Sequence, residues 1–173
     1  MILHENLFHI SEEAAIEHFV PRPSSLTSEP VVWAIDAARL RNYLVPRDCP
    51  RVTFYAGAAT TREDVQRFLG SSPVVVAIES AWFERLRTAR LYCYHFAPDT
   101  FECIDAGAGY FGSRSAVMPV RVEALEDPLS ELQRRAELRV LQSLWPLYDA
   151  VVASTLQFSI IRMRNAQPRT VSE

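Results

Sequence analysis

The segment Leu7-Phe8-His9-Ile10-Ser11 places an imidazole two positions before a hydroxyl, on a short apolar run. Ser11 has the chemistry of a helix cap, which would bring both groups to one strand–helix junction. That pair suits hydrogen bonding to a ribose or another polyol. The plainer account is a histidine satisfied by backbone groups at a strand end. Trp33 and Tyr43 bracket Asp36 and offer a stacking surface with a phenolic handle, although core packing explains both equally well. The turn Val45-Pro46-Arg47-Asp48-Cys49-Pro50-Arg51 is stiffened by prolines and carries a guanidinium near each end. Arg22 stands in the loop Pro21–Pro30, and Arg114 in the glycine-rich stretch Gly107–Ser115. Arg22, Arg47, Arg51 and Arg114 are the cations expected to grip a small anionic ligand or nucleotide, since a guanidinium fork matches carboxylate or phosphate. An Asp48–arginine pair that merely holds the turn is the alternative.

Other chemistries are excluded more firmly. Cys93 and His95 share a strand face with Cys103 nearby in sequence, but no C-x₂-C or H-x₃-H spacing accompanies them, so no metal site is expected. Buried cysteines acting as small hydrophobes account for the pattern. Neither G-x-S-x-G nor a papain-like cysteine context occurs. Glu79, Glu102, Glu123 and Glu137 lie in or beside apolar runs, and nothing in the spacing selects one as a general base. A two-histidine mechanism on His9 and His95 would need the imidazoles within about 7 Å, in hydrogen-bond reach of one substrate. Spacing alone selects no catalytic residue.

All eighteen basic residues of the 173 are arginine, which excludes a Schiff-base lysine and a P-loop lysine. The net charge of -3 gives no global field for nucleic acid or anionic lipid. No run reaches the roughly 18 apolar residues of a membrane span. Met1–Asn6 carries His4 and Glu5 rather than a basic region followed by an apolar one, so no secretory signal is expected there. Three cysteines, Cys49, Cys93 and Cys103, form no disulfide framework, and the cytoplasm is the expected compartment. Oligomeric state is not legible.

The elements that must position these residues alternate. Strands are expected at Leu7–Ile10, Val31–Ile35, Val52–Ala56 and Val74–Ile78, each a short apolar or β-branched run. Helices are expected after Ser11 (Glu12–Phe19), after Asp36 (to Leu44), after Thr60 or Thr61 (to Gly70) and after Ser80. In the second half, Ala89–Phe96 and Phe101–Asp105 flank Pro98-Asp99-Thr100 and read as a hairpin. Ala116–Val122, Leu138–Leu141 and Phe158–Met163 read as strands, and Asp127-Pro128 and Pro146 as helix starts. The expectation is one α+β domain over residues 1–166, with a mixed or antiparallel sheet of six or seven strands and short flanking helices. Residues 167–173 are expected to fray.

The strings HISEEAAIEHFVPRP, VVWAID, YLVPRDCPRV, SRSAVMPVRVE, LWPLYDAVVAST and FSIIRMRNA resemble an uncharacterised bacterial family of this length. That resemblance covers nearly the whole chain and implies a fold rather than an activity. More remotely, the first third resembles ADP-ribosyltransferase-like domains. In them a strand carries a histidine and a small hydroxyl residue (here His9 and Ser11), and a later helix carries a tyrosine (here Tyr43). This likeness implies NAD or a related nucleotide as ligand, with His9 on the ribose and Tyr43 on the nicotinamide. His9 and Tyr43 are catalytic candidates only by this resemblance. The late glutamate of that superfamily has no counterpart at Tyr110, Phe111 or Gly112. The alternative on the same scaffold is a non-catalytic domain that binds an anionic ligand or a protein.

Overall fold

A computed structural model describes residues 6–169. Its first strands are β1 (Leu7–Ser11), β2 (Val32–Ile35) and β3 (Arg51–Tyr55). A single turn, α1 (Arg62–Asp64), continues as a π-helical turn (Val65–Leu69) before β4 (Val74–Glu79). Then come α2 (Phe83–Thr88), β5 (Leu91–Phe96), β6 (Glu102–Asp105), β7 (Tyr110–Ser113) and β8 (Arg121–Leu125). The chain continues through α3 (Pro128–Gln133), β9 (Glu137–Leu141), α4 (Trp145–Val152) and β10 (Gln157–Ile161). The fold is α+β. Six strands form one sheet, of the size expected, and four more form a second. The chain divides into two compact units, one holding the described residues up to Tyr43 with Arg90–Glu126, the other Leu44–Ala89 with the residues from Asp127 onward.

The first unit is an antiparallel sheet of order β6-β7-β2-β1-β5-β8. Strand alternation sends Leu7, Val32, Ala34, Tyr94, Phe96 and Phe111 to one buried face. Phe19 closes that face, with its ring 5.0 Å from Tyr94 and 4.9 Å from Phe96. The helix expected over Glu12–Phe19 is absent. Ser11 ends β1, its Oγ accepts from the Glu13 amide at 3.1 Å, and Phe19 forms an isolated bridge with Val117. The Tyr94 hydroxyl donates to the Glu13 carbonyl at 2.6 Å and accepts from the Ile16 amide at 3.1 Å. One tyrosine therefore takes up backbone groups that a helix would pair internally.

Two further expectations are corrected in this unit. Asp36 does cap, accepting from the Arg39 amide at 2.7 Å, but the chain beyond it forms a 3-10 turn over Leu40–Tyr43 and no α-helix. β5 and β6 are not a hairpin: Pro98–Thr100 is a 3-10 turn, β5 lies between β1 and β8, and β6 pairs with β7. β1 takes the place beside β5 that the hairpin would give β6, pairing from Leu7↔Phe96 to Ser11↔Tyr92.

The second unit has a sheet of order β10-β3-β4-β9, parallel only between β4 and β9. β4 is buried along its whole length, in keeping with the continuous apolar run Val74–Ile78. Val52, Phe54, Val75 and Ala77 form one core with Phe68, Leu144 and Val151. The expected caps hold here. Thr61 accepts from the Asp64 amide at 3.2 Å, Gly70 ends the π-turn at φ +60°, and Asp127 accepts from the Ser130 amide at 2.9 Å. Of the segment expected to fray, Gln167 is tied down. Its carbonyl accepts from Trp145 Nε1 at 2.7 Å, and its amide donates to Glu79 at 2.9 Å. Residues 170–173, and Met1–Glu5 at the other end, lie outside the described residues. No helix among those described is long and apolar enough to cross a membrane.

Candidate functional site

His9 and Tyr43 belong to opposite faces of the six-stranded sheet. The His9 ring packs edge-on against Phe19 at 5.0 Å, on the core face with Leu7, and its Nδ1 lies 3.1 Å from the Trp33 carbonyl oxygen. Trp33 alternates with the core residues Val32 and Ala34, so its indole lies on the other face, where its ring meets Tyr110 at 5.7 Å. The Tyr43 hydroxyl donates to the Tyr110 hydroxyl at 3.0 Å. Trp33, Tyr43 and Tyr110 thus form one aromatic group, without His9 and without Ser11, which lies on β1 with His9. His95 stands across the sheet from His9, paired with Phe8 in register and 5.0 Å from its ring. The two imidazoles share no face.

The arginines divide between the units. Arg51 is buried, and its Nη1 donates to the carbonyls of Cys49 at 2.8 Å and Arg47 at 3.4 Å. It closes the proline-stiffened turn from within. The Asp48 carbonyl of that turn accepts from Asn165 at 2.7 Å, and the Asp48 carboxylate lies 4.0 Å from Arg162. In the other unit the Arg22 backbone pairs with Val31 through two hydrogen bonds of 3.1 Å, which pin the start of the Pro21–Pro30 loop to the strand it precedes.

Arg114, just past the end of β7, lines a pocket of about 280 Å³. Its Nε lies 2.9 Å from Glu29 of that loop, and its Nη2 lies 3.7 Å from Glu102 of β6. Leu26, Val31 and Ile104 supply apolar walls, and Thr27 and Ser28 supply polar ones. Gly112 leaves room at the base: a Cβ there would come within 2.4 Å of Ile104 Cδ1, so a larger residue would push the end of the Ile104 side chain aside. The Thr27 hydroxyl donates to the Glu29 carbonyl at 2.8 Å and so shapes the loop from inside. Arg114, Glu102 and the Pro21–Pro30 loop each carry a signal in the sequence. Their meeting with Glu29 does not, because the loop is distant along the chain from the adjacent strands β6 and β7.

The hydrophobe account fits Cys49 and Cys93 but not Cys103. Cys49 and Cys93 are buried and Cys103 is exposed. Burial pushes the Cys49 thiol up to about 12, against the pull of Arg51, so it stays neutral. Cys93 on β5 and Cys103 on β6 are separated in the sheet by β1, β2 and β7. Among the described residues no three His, Cys, Asp or Glu side chains are grouped to hold a metal ion. Glu79 is almost wholly buried and acts on backbone, accepting from the Leu144 amide at 3.1 Å and the Gln167 amide at 2.9 Å. Glu123 lies 3.0 Å from Arg121 and 3.5 Å from His95, and Glu137 accepts from Arg139 at 2.7 Å.

A family model described as a family of unknown function (DUF6886) matches residues 8–166. No curated protein and no solved structure matches the chain.

Proposed function

The chain belongs to that family of unknown function, and from its own chemistry we propose that it is a non-catalytic binding domain whose site is the Arg114 pocket. The observation that carries this reading is one guanidinium held between two carboxylates beside an apolar wall, in a cavity of about 280 Å³. The balance of charge there favours a small zwitterion over a phosphate. A ligand ammonium would pair with Glu29 or Glu102 beside the guanidinium, and a ligand carboxylate with the remaining donors of a group with five N–H bonds. An apolar side chain on the ligand would lie against Leu26, Val31 and Ile104. Insertion is cheap, since a solvent-exposed ion pair is worth only about 0.2–1 kcal/mol. The volume is at the small end for ligand sites and fits an amino-acid-sized molecule.

A nucleotide in an ADP-ribosyltransferase-like cleft is supported less, because that reading needs His9 and Tyr43 on one ligand and they lie on opposite sides of a sheet. A cytoplasmic setting suits a chain whose three cysteines form no disulfide. Thermal-shift measurements against apolar amino acids, inorganic phosphate and NAD, each at millimolar concentration, test the proposal. Amino acids are expected to raise the melting temperature and the other two to leave it unchanged. A shift with NAD alone would overturn the pocket reading in favour of the nucleotide.

A further inference from the structure

The two edges of the six-stranded sheet differ in a way that points to a partner. β6, at one edge, has four residues, an irregularity between Cys103 and Asp105, and carboxylates at both ends. Short, bulged, charged edges resist pairing with other chains. β8, at the other edge, pairs with β5 without a bulge and carries one charge of each sign, Arg121 and Glu123, in place of two carboxylates. Arg121–Ala124 are exposed, and no described strand pairs with their outer side. An apolar stripe runs along and before it, with Met118, Val120 and Val122 exposed to 64%, 63% and 44%.

The charges on β8 are complementary to themselves. A two-fold axis through Val122, with a second β8 antiparallel, sets Arg121 opposite Glu123 and Val120 opposite Ala124 of the other copy. Registers centred on Arg121 or on Glu123 would set like charges face to face, so one register is selected. Closed two-fold association requires a patch complementary to itself, and the sequence of β8 meets that requirement. Arg121 and Glu123 already lie 3.0 Å apart within one chain, with His95 3.5 Å from the same carboxylate oxygen, so the pairing would extend an existing line of charges. We propose that β8 pairs with β8 of a second copy of this chain, making one continuous sheet across a two-fold dimer. A seam of two short strands is a small interface, so the dimer is a concentration-dependent one.

Sedimentation of the full chain, from micromolar to near-millimolar concentration, tests this with charge exchanges on exposed positions. Wild type is expected to dimerise with rising concentration. Arg121→Glu alone and Glu123→Arg alone are each expected to weaken the dimer about tenfold or more, because like charges then face each other. An equimolar mixture of the two variants is expected to restore it, since each then meets the opposite charge. As a second readout, Val122→Cys lies on the axis and is expected to give a covalent dimer on mild oxidation. Val152→Cys, an exposed position on α4, serves as the control and is expected not to. Wild type that stays monomeric throughout, single exchanges without effect, or a mixture no tighter than its components would each overturn the proposal. So would failure of Val122→Cys to cross-link beyond the control.

Discussion

Arg114 and Glu29 meet at 2.9 Å, fastening the loop that precedes β2 to the end of β7. Two of the three strands at this side of the sheet, β6 and β7, and the loop thereby share one polar junction, with Glu102 as its third member at 3.7 Å. The junction is exposed, so its energy is small and its value lies in orientation.

Arg114→Gln is accordingly expected to cost less than about 1 kcal/mol in urea unfolding while removing stabilisation by ligand. A loss of several kcal/mol would mean that the arginine is structural.

Glu79 is the contrasting case. Its carboxylate is almost wholly buried and holds the amides of Leu144 and Gln167. Glu79→Ala leaves both amides without an acceptor and is expected to cost about 3 kcal/mol, with Glu79→Gln costing less because one oxygen remains. Urea midpoints of the two variants measure the difference. Equal midpoints would contradict the role given to the second oxygen.

Thiol reagents should distinguish the three cysteines. At mildly alkaline pH the native protein is expected to react at Cys103 only, with Cys49 and Cys93 reacting after unfolding. Cys49 also sets a pH dependence. Its folded value of about 12 stands above its ordinary 9.0, so its contribution to stability is complete below 9.0. That contribution is lost progressively as pH rises toward about 12, because only the unfolded chain releases the proton in that window. The check is unfolding monitored across alkaline pH in wild type and Cys49→Ala.

Asp127 gives the opposite sign. Hydrogen bonds from the Ser130 hydroxyl and amide hold its carboxyl below the ordinary 3.8. The stabilisation is present above 3.8 and disappears as pH falls through the lowered value. Asp127→Ala is expected to lower the melting temperature near neutral pH, with wild type and variant converging in acid. A gap that persists at the lowest pH would show that the cap does not act through its charge.

Legibility followed the range of the interactions. Caps such as Thr61 and Asp127 act within three residues, so they are legible from the local sequence. Val74–Ile78 was visible because a strand buried on both faces is apolar throughout. The missing helix after Ser11 was not, since Tyr94 overrides it from 78 residues beyond Ile16. The expected β5–β6 hairpin failed for the same reason: local turn chemistry at Pro98–Thr100 does not specify which strands become neighbours. In the candidate site, the arginine and the loop were legible singly. The junction with Glu29 and Glu102 depends on strand order, and a sequence read locally does not contain it.

Calorimetric titration of one apolar amino acid, its amine analogue lacking the carboxylate and its acid analogue lacking the ammonium tests the pocket most directly. The account predicts saturable binding of the amino acid to wild type, weakened for both analogues and abolished in Arg114→Gln. Equal binding of wild type and Arg114→Gln, or no heat with the amino acid at millimolar concentration, would contradict it.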